Sequence, residues 1–187
     1  PTITGHWPYF ALATLVSEGA AIAMEGDVDG AICSIIAEGL GLGPVYLTDW
    51  LEHDEESIAI WHTGAAPFQL TEPVGTEHGP HLTVQFNNRK PTVVESTIRA
   101  DVPVTMFRIW RTDGEYHMTA VEGETTAPDR HLLATNGRAR VHGLNVREWF
   151  DDMVHEGMPH HLCVVEGHHR DALSRTARAL GLRRHMP

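Results

Sequence analysis

The chain has 187 residues, which suits one domain or two small ones, and its 42% hydrophobic and 21% charged content excludes a disordered chain. It carries 25 acidic against 14 basic residues, a formal net charge of −11, which argues against nucleic acid as a partner. No apolar run approaches the roughly 20 residues of a membrane span, and two cysteines without a signal peptide favour a reducing, cytoplasmic location.

The first segment, residues 1–70, has the pattern of an α/β unit. Because strands that alternate with helices form parallel sheets through right-handed crossovers, we expect part of a parallel sheet here. The chain opens at Pro1 inside this unit, so we expect it to be a piece of a longer protein. The predicted elements are a helix over 9–18, a strand over 20–24, a helix capped by Asp27, and strands over 45–47 and 57–61.

In the second segment, residues 71–187, apolar and polar residues alternate over about 71–143, which predicts antiparallel strands, and the remainder returns to a helix-strand-helix pattern. Asp113-Gly114 between two such runs is a strong hairpin signal. We therefore expect a C-terminal β-barrel-like domain with flanking helices. The predicted elements are strands over 82–86, 104–109, 116–120 and 161–165, a helix over 146–155 capped by Asn145, and a helix over 170–180.

Three successive predicted strands of the first segment end in Glu25, Asp49 and His62. Carboxyl ends of parallel strands meet at one edge, so these side chains are candidates for a site for Mn²⁺, Mg²⁺ or Fe²⁺. The alternative is that such acidic residues only cap helices, a role for which Asp27 competes. The pair His160-His161 is a second candidate, and its simpler interpretation is a polar loop.

Four sequence blocks, in order, resemble the C-terminal half of the L-fucose isomerase and L-arabinose isomerase superfamily, especially its fucose-isomerase-like members. The 24-residue spacing from Glu25 to Asp49 is similar to that family's, and Thr63 stands where the family usually has cysteine. The blocks are Met24–Ala31, Val45–Asp49, Trp61–Pro67 and Gly157–His161.

The resemblance implies that Glu25, Asp49 and His161 hold a divalent metal, usually Mn²⁺, with Mg²⁺, Co²⁺ or Fe²⁺ as substitutes. It makes Glu25 and Asp49 the catalytic pair that moves protons through an enediol intermediate. His62 matches a fourth ligand of the arabinose-isomerase branch, and His160 falls where the two branches differ. Both are therefore possible contacts to metal or substrate.

The implied function is a metal-dependent aldose-ketose isomerase, an intramolecular oxidoreductase of carbohydrate metabolism, with a small sugar as substrate. The sequence leaves the sugar open. The resemblance also implies a homo-oligomer or an N-terminal partner region that completes the pocket. Two alternatives stay open: a metal-dependent aldolase, and a non-catalytic sugar-binding or assembly module.

Overall fold

The computed structural model describes residues 5–187, in which four helices pack around a nine-stranded sheet. The helices are α1 (Tyr9–Ser17), α2 (Val28–Leu40), α3 (Val146–His155) and α4 (Arg170–Ala179), with a short 3₁₀ turn at Phe68–Leu70. The strands are β1 (Tyr46–His53), β2 (Ser57–His62), β3 (His81–Thr83), β4 (Val93–Thr97), β5 (Pro103–Thr112), β6 (Glu115–Thr126), β7 (Thr135–Val141), β8 (His161–Glu166) and β9 (Arg183–His185).

The strands lie in the order β3-β4-β7-β2-β1-β8-β5-β6-β9. Neighbours are antiparallel except β4 with β7 and β6 with β9. Strand β6 also pairs with β7 through Gly123–Thr126. The mixed α/β class and the mainly antiparallel second segment are thus confirmed. The division of the chain at residue 70 stays a prediction.

The parallel sheet predicted for the first segment is wrong. Strands β1 and β2 are antiparallel neighbours, and only three residues, 54–56, join them. A parallel pair needs a crossover of a dozen or more residues, so this connection permits only a hairpin. Residues 20–24, predicted as a strand, form irregular backbone between α1 and α2, in which Met24 is buried against Tyr9. An apolar run of five residues is consistent with either outcome.

The predicted helix caps and the predicted hairpin turn are confirmed. The Asp27 carboxylate accepts a hydrogen bond from the Gly30 N–H at 2.8 Å, and Asn145 accepts from the N–H groups of Arg147 and Glu148. At the tip of the β5–β6 hairpin, Asp113 and Gly114 have φ of 51° and 86°. Two consecutive positive φ angles are what a two-residue type I′ turn requires.

The sheet has an apolar core on each face, because successive strand residues point to opposite sides. Leu162 packs with Trp50, Trp110 and the buried side of α3 on one face. The adjacent Cys163 packs on the other face, against α2 and α4. Apolar residues therefore pack against both faces of the central strands β1, β8 and β5. No helix within residues 5–187 is long and apolar enough to cross a membrane.

Candidate metal centre

The two central strands β1 and β8 bring together site residues that are far apart in the sequence. Asp49 in β1 lies directly opposite His161, the first residue of β8, and on its other side opposite Trp61 of β2. His62 ends β2, and Glu25 lies on the loop before α2. All five predicted site residues lie in two overlapping groups, Glu25 with His62 and His161, and Asp49 with His160 and His161.

His161 is the residue that the two groups share. Its Nε2 lies 3.1 Å from Oδ1 of Asp49 and 4.0 Å from Oε2 of Glu25. The other oxygen of Glu25 lies 3.9 Å from Nε2 of His62, and Nε2 of His160 lies 3.3 Å from Oδ1 of Asp49. Within each group, all potential ligand atoms lie within 4.8 Å of one another. Two imidazoles and two carboxylates therefore converge around one imidazole nitrogen.

The Nε2 atom of His161 is buried and has no hydrogen-bond partner of acceptable geometry, although Asp49 is close. Its Nδ1 lies 2.8 Å from Oδ2 of Asp27, to which it donates. This hydrogen bond turns Nε2 toward Glu25 and Asp49. A buried imidazole nitrogen without a partner beside two carboxylates fits a metal ligand, because the cation would supply the missing contact. The hydrogen bond to Asp27, followed by the nearby Asp49, raises the pKa of His161 to about 9 in the metal-free protein.

Asp27 is fixed from the opposite side by Arg108. The two terminal nitrogens of the guanidinium donate to the two carboxylate oxygens at 2.7 Å each, the bidentate geometry of a strong ion pair. Arg108 is only 2% exposed. Burial alone would raise the pKa of Asp27, but the hydrogen bonds from His161 and Arg108 outweigh it and hold that pKa well below its usual range. From the sequence, Asp27 was expected only to cap a helix, and no role was predicted for Arg108.

Glu25 and His62 differ in their exposure to solvent. The side chain of Glu25 is 53% exposed, and its φ of 60° places it in the left-handed region that non-glycine residues seldom adopt. His62 is buried. Burial lowers the pKa of His62, an effect that Asp49 and Glu25 partly oppose. A neutral imidazole keeps a lone pair free, which is the form that binds a metal.

A cavity of about 690 Å³ opens beside Glu25, and aromatic rings form much of its wall. Trp7 and Tyr9 stack with ring centroids 5.7 Å apart, and Trp61 meets the edge of Phe86 at 5.4 Å. From the sequence, Trp7 was considered as a sugar contact, with packing at a helix entry as the simpler interpretation, and the other three rings were not considered. Their positions depend on contacts between separate loops, so the sequence offered no local signal for a shared cavity.

The comparison with protein families matches the model described as "L-fucose isomerase, C-terminal domain" over residues 59–186. The match covers more than half of the chain and includes His62, Arg108 and His161, whereas Glu25 and Asp49 precede it. A comparison with curated proteins finds no match. The sugar-isomerase family resemblance seen in the sequence is thereby confirmed, and the chain belongs to the family of L-fucose isomerase C-terminal domains.

Proposed function

We propose that this chain carries the metal centre and part of the sugar pocket of an aldose-ketose isomerase that acts through an enediol intermediate. The observation that carries the proposal is the buried, unpartnered Nε2 of His161, which lies within 4.0 Å of carboxylate oxygens from both Asp49 and Glu25. Membership of a sugar-isomerase family supports the class of reaction.

The donor set fits a divalent cation. Glu25, Asp49 and His161 would be its ligands, with His62 as a possible fourth. Carboxylate oxygens with one or two imidazoles suit Mn²⁺, with Mg²⁺, Co²⁺ or Fe²⁺ as alternatives. When bound, the cation would supply Lewis-acid stabilisation of negative charge on the sugar oxygens.

The two carboxylates would move the protons. In an aldose-ketose conversion a base removes the proton from C2 and the carbonyl oxygen at C1 gains a proton, which gives the enediol. A proton is then delivered to C1 while the hydroxyl at C2 loses its own and becomes the ketone. Glu25, which is half exposed to the cavity, and Asp49 are the proposed acid-base pair. An oxygen on at least one of them must stay free for the substrate.

The aromatic cavity beside Glu25 would hold the sugar. Its volume of about 690 Å³ falls within the ordinary range of small-molecule sites. The faces of Trp7 and Trp61 offer apolar surface for the carbon chain, while Gln85 and Asn87 offer hydrogen-bonding groups along the same wall. We further propose that a second subunit or an N-terminal region closes this pocket, and that the isolated chain turns over sugar weakly.

Calorimetric titration with Mn²⁺ tests the centre. We expect the unmodified chain to bind Mn²⁺ and the double variant Glu25→Gln/Asp49→Asn to lose most of that binding. The matched control is Asp29→Asn/Glu38→Gln, which removes two carboxylates from α2 and should bind as the unmodified chain does. Failure of the unmodified chain to bind Mn²⁺, or equal binding by the double variant, would contradict the proposal.

Isotope labelling separates isomerase from aldolase. In deuterium oxide, an isomerase gives a ketose with deuterium at C1, or returns an aldose labelled at C2, and no carbon-carbon bond is cleaved. An aldolase gives shorter fragments. A non-catalytic sugar-binding or assembly module gives neither result, and if its acidic residues only cap helices, Mn²⁺ leaves its melting temperature unchanged.

A further inference from the structure

A second cluster of potential metal ligands lies at the edge of the sheet where β9 pairs with β6. It contains His117 of β6, His185 of β9 and Glu156, the residue that follows α3. Nδ1 of His117 lies 3.0 Å from Nε2 of His185. Oε2 of Glu156 lies 3.9 Å from each of these nitrogens. The cluster shares no residue with the candidate centre around His161.

These separations leave room for one ion. A point exists at about 2.1 Å from all three atoms, which matches the usual bond lengths from zinc to imidazole nitrogen and carboxylate oxygen. We propose that His117, His185 and Glu156 form a second metal site, selective for Zn²⁺ and chemically similar cations such as Co²⁺. Two imidazoles and one carboxylate suit these ions better than Mg²⁺ or Mn²⁺, which prefer sites richer in oxygen.

Further hydrogen bonds hold Glu156 and His185 in place. Arg183 donates to Oε1 of Glu156 at 3.4 Å, and this contact leaves Oε2 turned toward the imidazoles. The Trp110 indole N–H donates to the Glu156 carbonyl at 2.8 Å, which fixes the end of α3. The Thr119 hydroxyl donates to the His185 carbonyl at 2.6 Å, so the histidine backbone is anchored as well. The site is therefore preorganised.

Both imidazoles of the cluster are shielded from solvent, with side chains only 2% (His117) and 12% (His185) exposed. The indole of Trp110 packs against both rings at 5.2 and 5.3 Å. Burial lowers the pKa of His185, although the charge of Glu156 opposes this effect. A cavity of about 420 Å³, lined in part by Glu156 and His185, offers an entry path from solvent.

A metal here would tie β9 and the end of α3 to β6. These three elements meet at one corner of the fold, so the ion would act as a structural cross-link, and its binding would raise the stability of the native state. The site is independent of the sugar chemistry proposed above.

Titration with Co²⁺ tests the site, because tetrahedral or five-coordinate Co²⁺ absorbs visible light strongly. The protein used is the full chain carrying Glu25→Gln/Asp49→Asn/His161→Gln, so that the first centre keeps neither its carboxylates nor the histidine that its two groups share. We expect one Co²⁺ per chain, displaced by Zn²⁺. When either His185→Gln or Glu156→Gln is added to this protein, Co²⁺ binding should weaken at least about tenfold. The control is His155→Gln, an exposed histidine on the wall of the same cavity, which should leave binding unchanged.

Absence of Co²⁺ binding in the background protein overturns the proposal and identifies the His117–His185 contact as a simple hydrogen bond. Binding that survives within about twofold in either substituted protein overturns it as well. Circular dichroism of the metal-free variants checks folding. Glu156 has a more exposed side chain than His185, so Glu156→Gln decides the question if His185→Gln fails to fold.

Discussion

Oδ2 of Asp27 lies 2.8 Å from Nδ1 of His161, a contact between residues 134 positions apart. The same carboxylate accepts two hydrogen bonds from the buried guanidinium of Arg108 and one from the N–H of Gly30. One side chain therefore caps α2, neutralises a buried cation on β5 and orients the imidazole that heads β8. This arrangement links the helix that follows Glu25 to β8, which carries His161, and to the neighbouring strand β5.

Replacing Asp27 should damage both the metal centre and the fold. In Asp27→Asn the negative charge that orients His161 is lost, so we expect Mn²⁺ affinity to fall by about 10- to 100-fold. Arg108 would also lose the charge that compensates it, and breaking a buried ion pair costs about 3–5 kcal/mol of unfolding free energy. Calorimetry and denaturant unfolding measure the two effects.

Asp29→Asn is the matched control, since Asp29 lies in the first turn of the same helix. It should keep Mn²⁺ affinity within about twofold and change stability by less than about 1 kcal/mol. An Asp27→Asn protein that binds Mn²⁺ as tightly as the unmodified chain would show that Asp27 does not position His161.

Gly64 lies two residues after His62 in a conformation that needs glycine. Its φ is 91°, and a Cβ added there would overlap the backbone oxygen of Val94 in β4. We expect Gly64→Ala to lower the unfolding free energy by more than about 2 kcal/mol, because strain and a backbone clash combine. Gly39→Ala, at an open position inside α2, should raise it by about 0.5–1 kcal/mol. Equal effects at the two positions would contradict this explanation.

The features of the fold that could be predicted from the sequence are those determined by residues close together in the chain. The caps at Asp27 and Asn145 and the hairpin at Asp113-Gly114 could be predicted, because each is decided by side chains within three or four residues. The antiparallel pairing of β1 with β2 was not predicted, because the apolar pattern of a strand does not indicate which strand it pairs with. The length of the connection at 54–56 was the available signal.

The candidate site shows the same limit. The sequence blocks around Glu25, Asp49 and His161 identified residues that the fold brings together. Neither spacing nor composition indicated which other side chains hold these residues in place. Arg108 contacts Asp27 across 81 positions, and its sequence signal was an arginine flanked by the apolar residues Phe107 and Ile109. A charge in such a strand must be paired, but the identity of its partner requires tertiary structure.

Asp54 should make stability depend on pH in the acid range. Hydrogen bonds, first from the N–H of Glu56 and then from Arg138 and Ser57, outweigh partial burial and hold the pKa of Asp54 well below its usual value. Because the folded pKa lies below that of the unfolded chain, about 3.9, this stabilisation is present above pH 4 and is lost as pH falls further.

Asp54→Asn should therefore melt at a lower temperature than the unmodified protein at pH 6, and the difference should shrink toward pH 2. The side chain is 46% exposed, so solvent screening keeps the effect small. Thermal melts at several pH values measure it, with Glu38→Gln as an exposed-carboxylate control. A difference that stays constant over the whole range would assign the effect to lost packing and not to charge.

The two histidines whose roles the sequence left open should respond differently to substitution. His62 is buried and kept neutral, with Nε2 3.9 Å from Glu25, whereas the side chain of His160 is 68% exposed. Loss of a buried ligand weakens metal binding more than loss of a solvated one, because water can take the place of the solvated ligand only. We expect His62→Gln to weaken Mn²⁺ binding at least about tenfold and His160→Gln less than about threefold. Mn²⁺ titration of both variants measures this, with melting curves in a chelator to confirm that His62→Gln folds. The reverse order of effects would make His160 the fourth ligand and leave His62 a packed core residue.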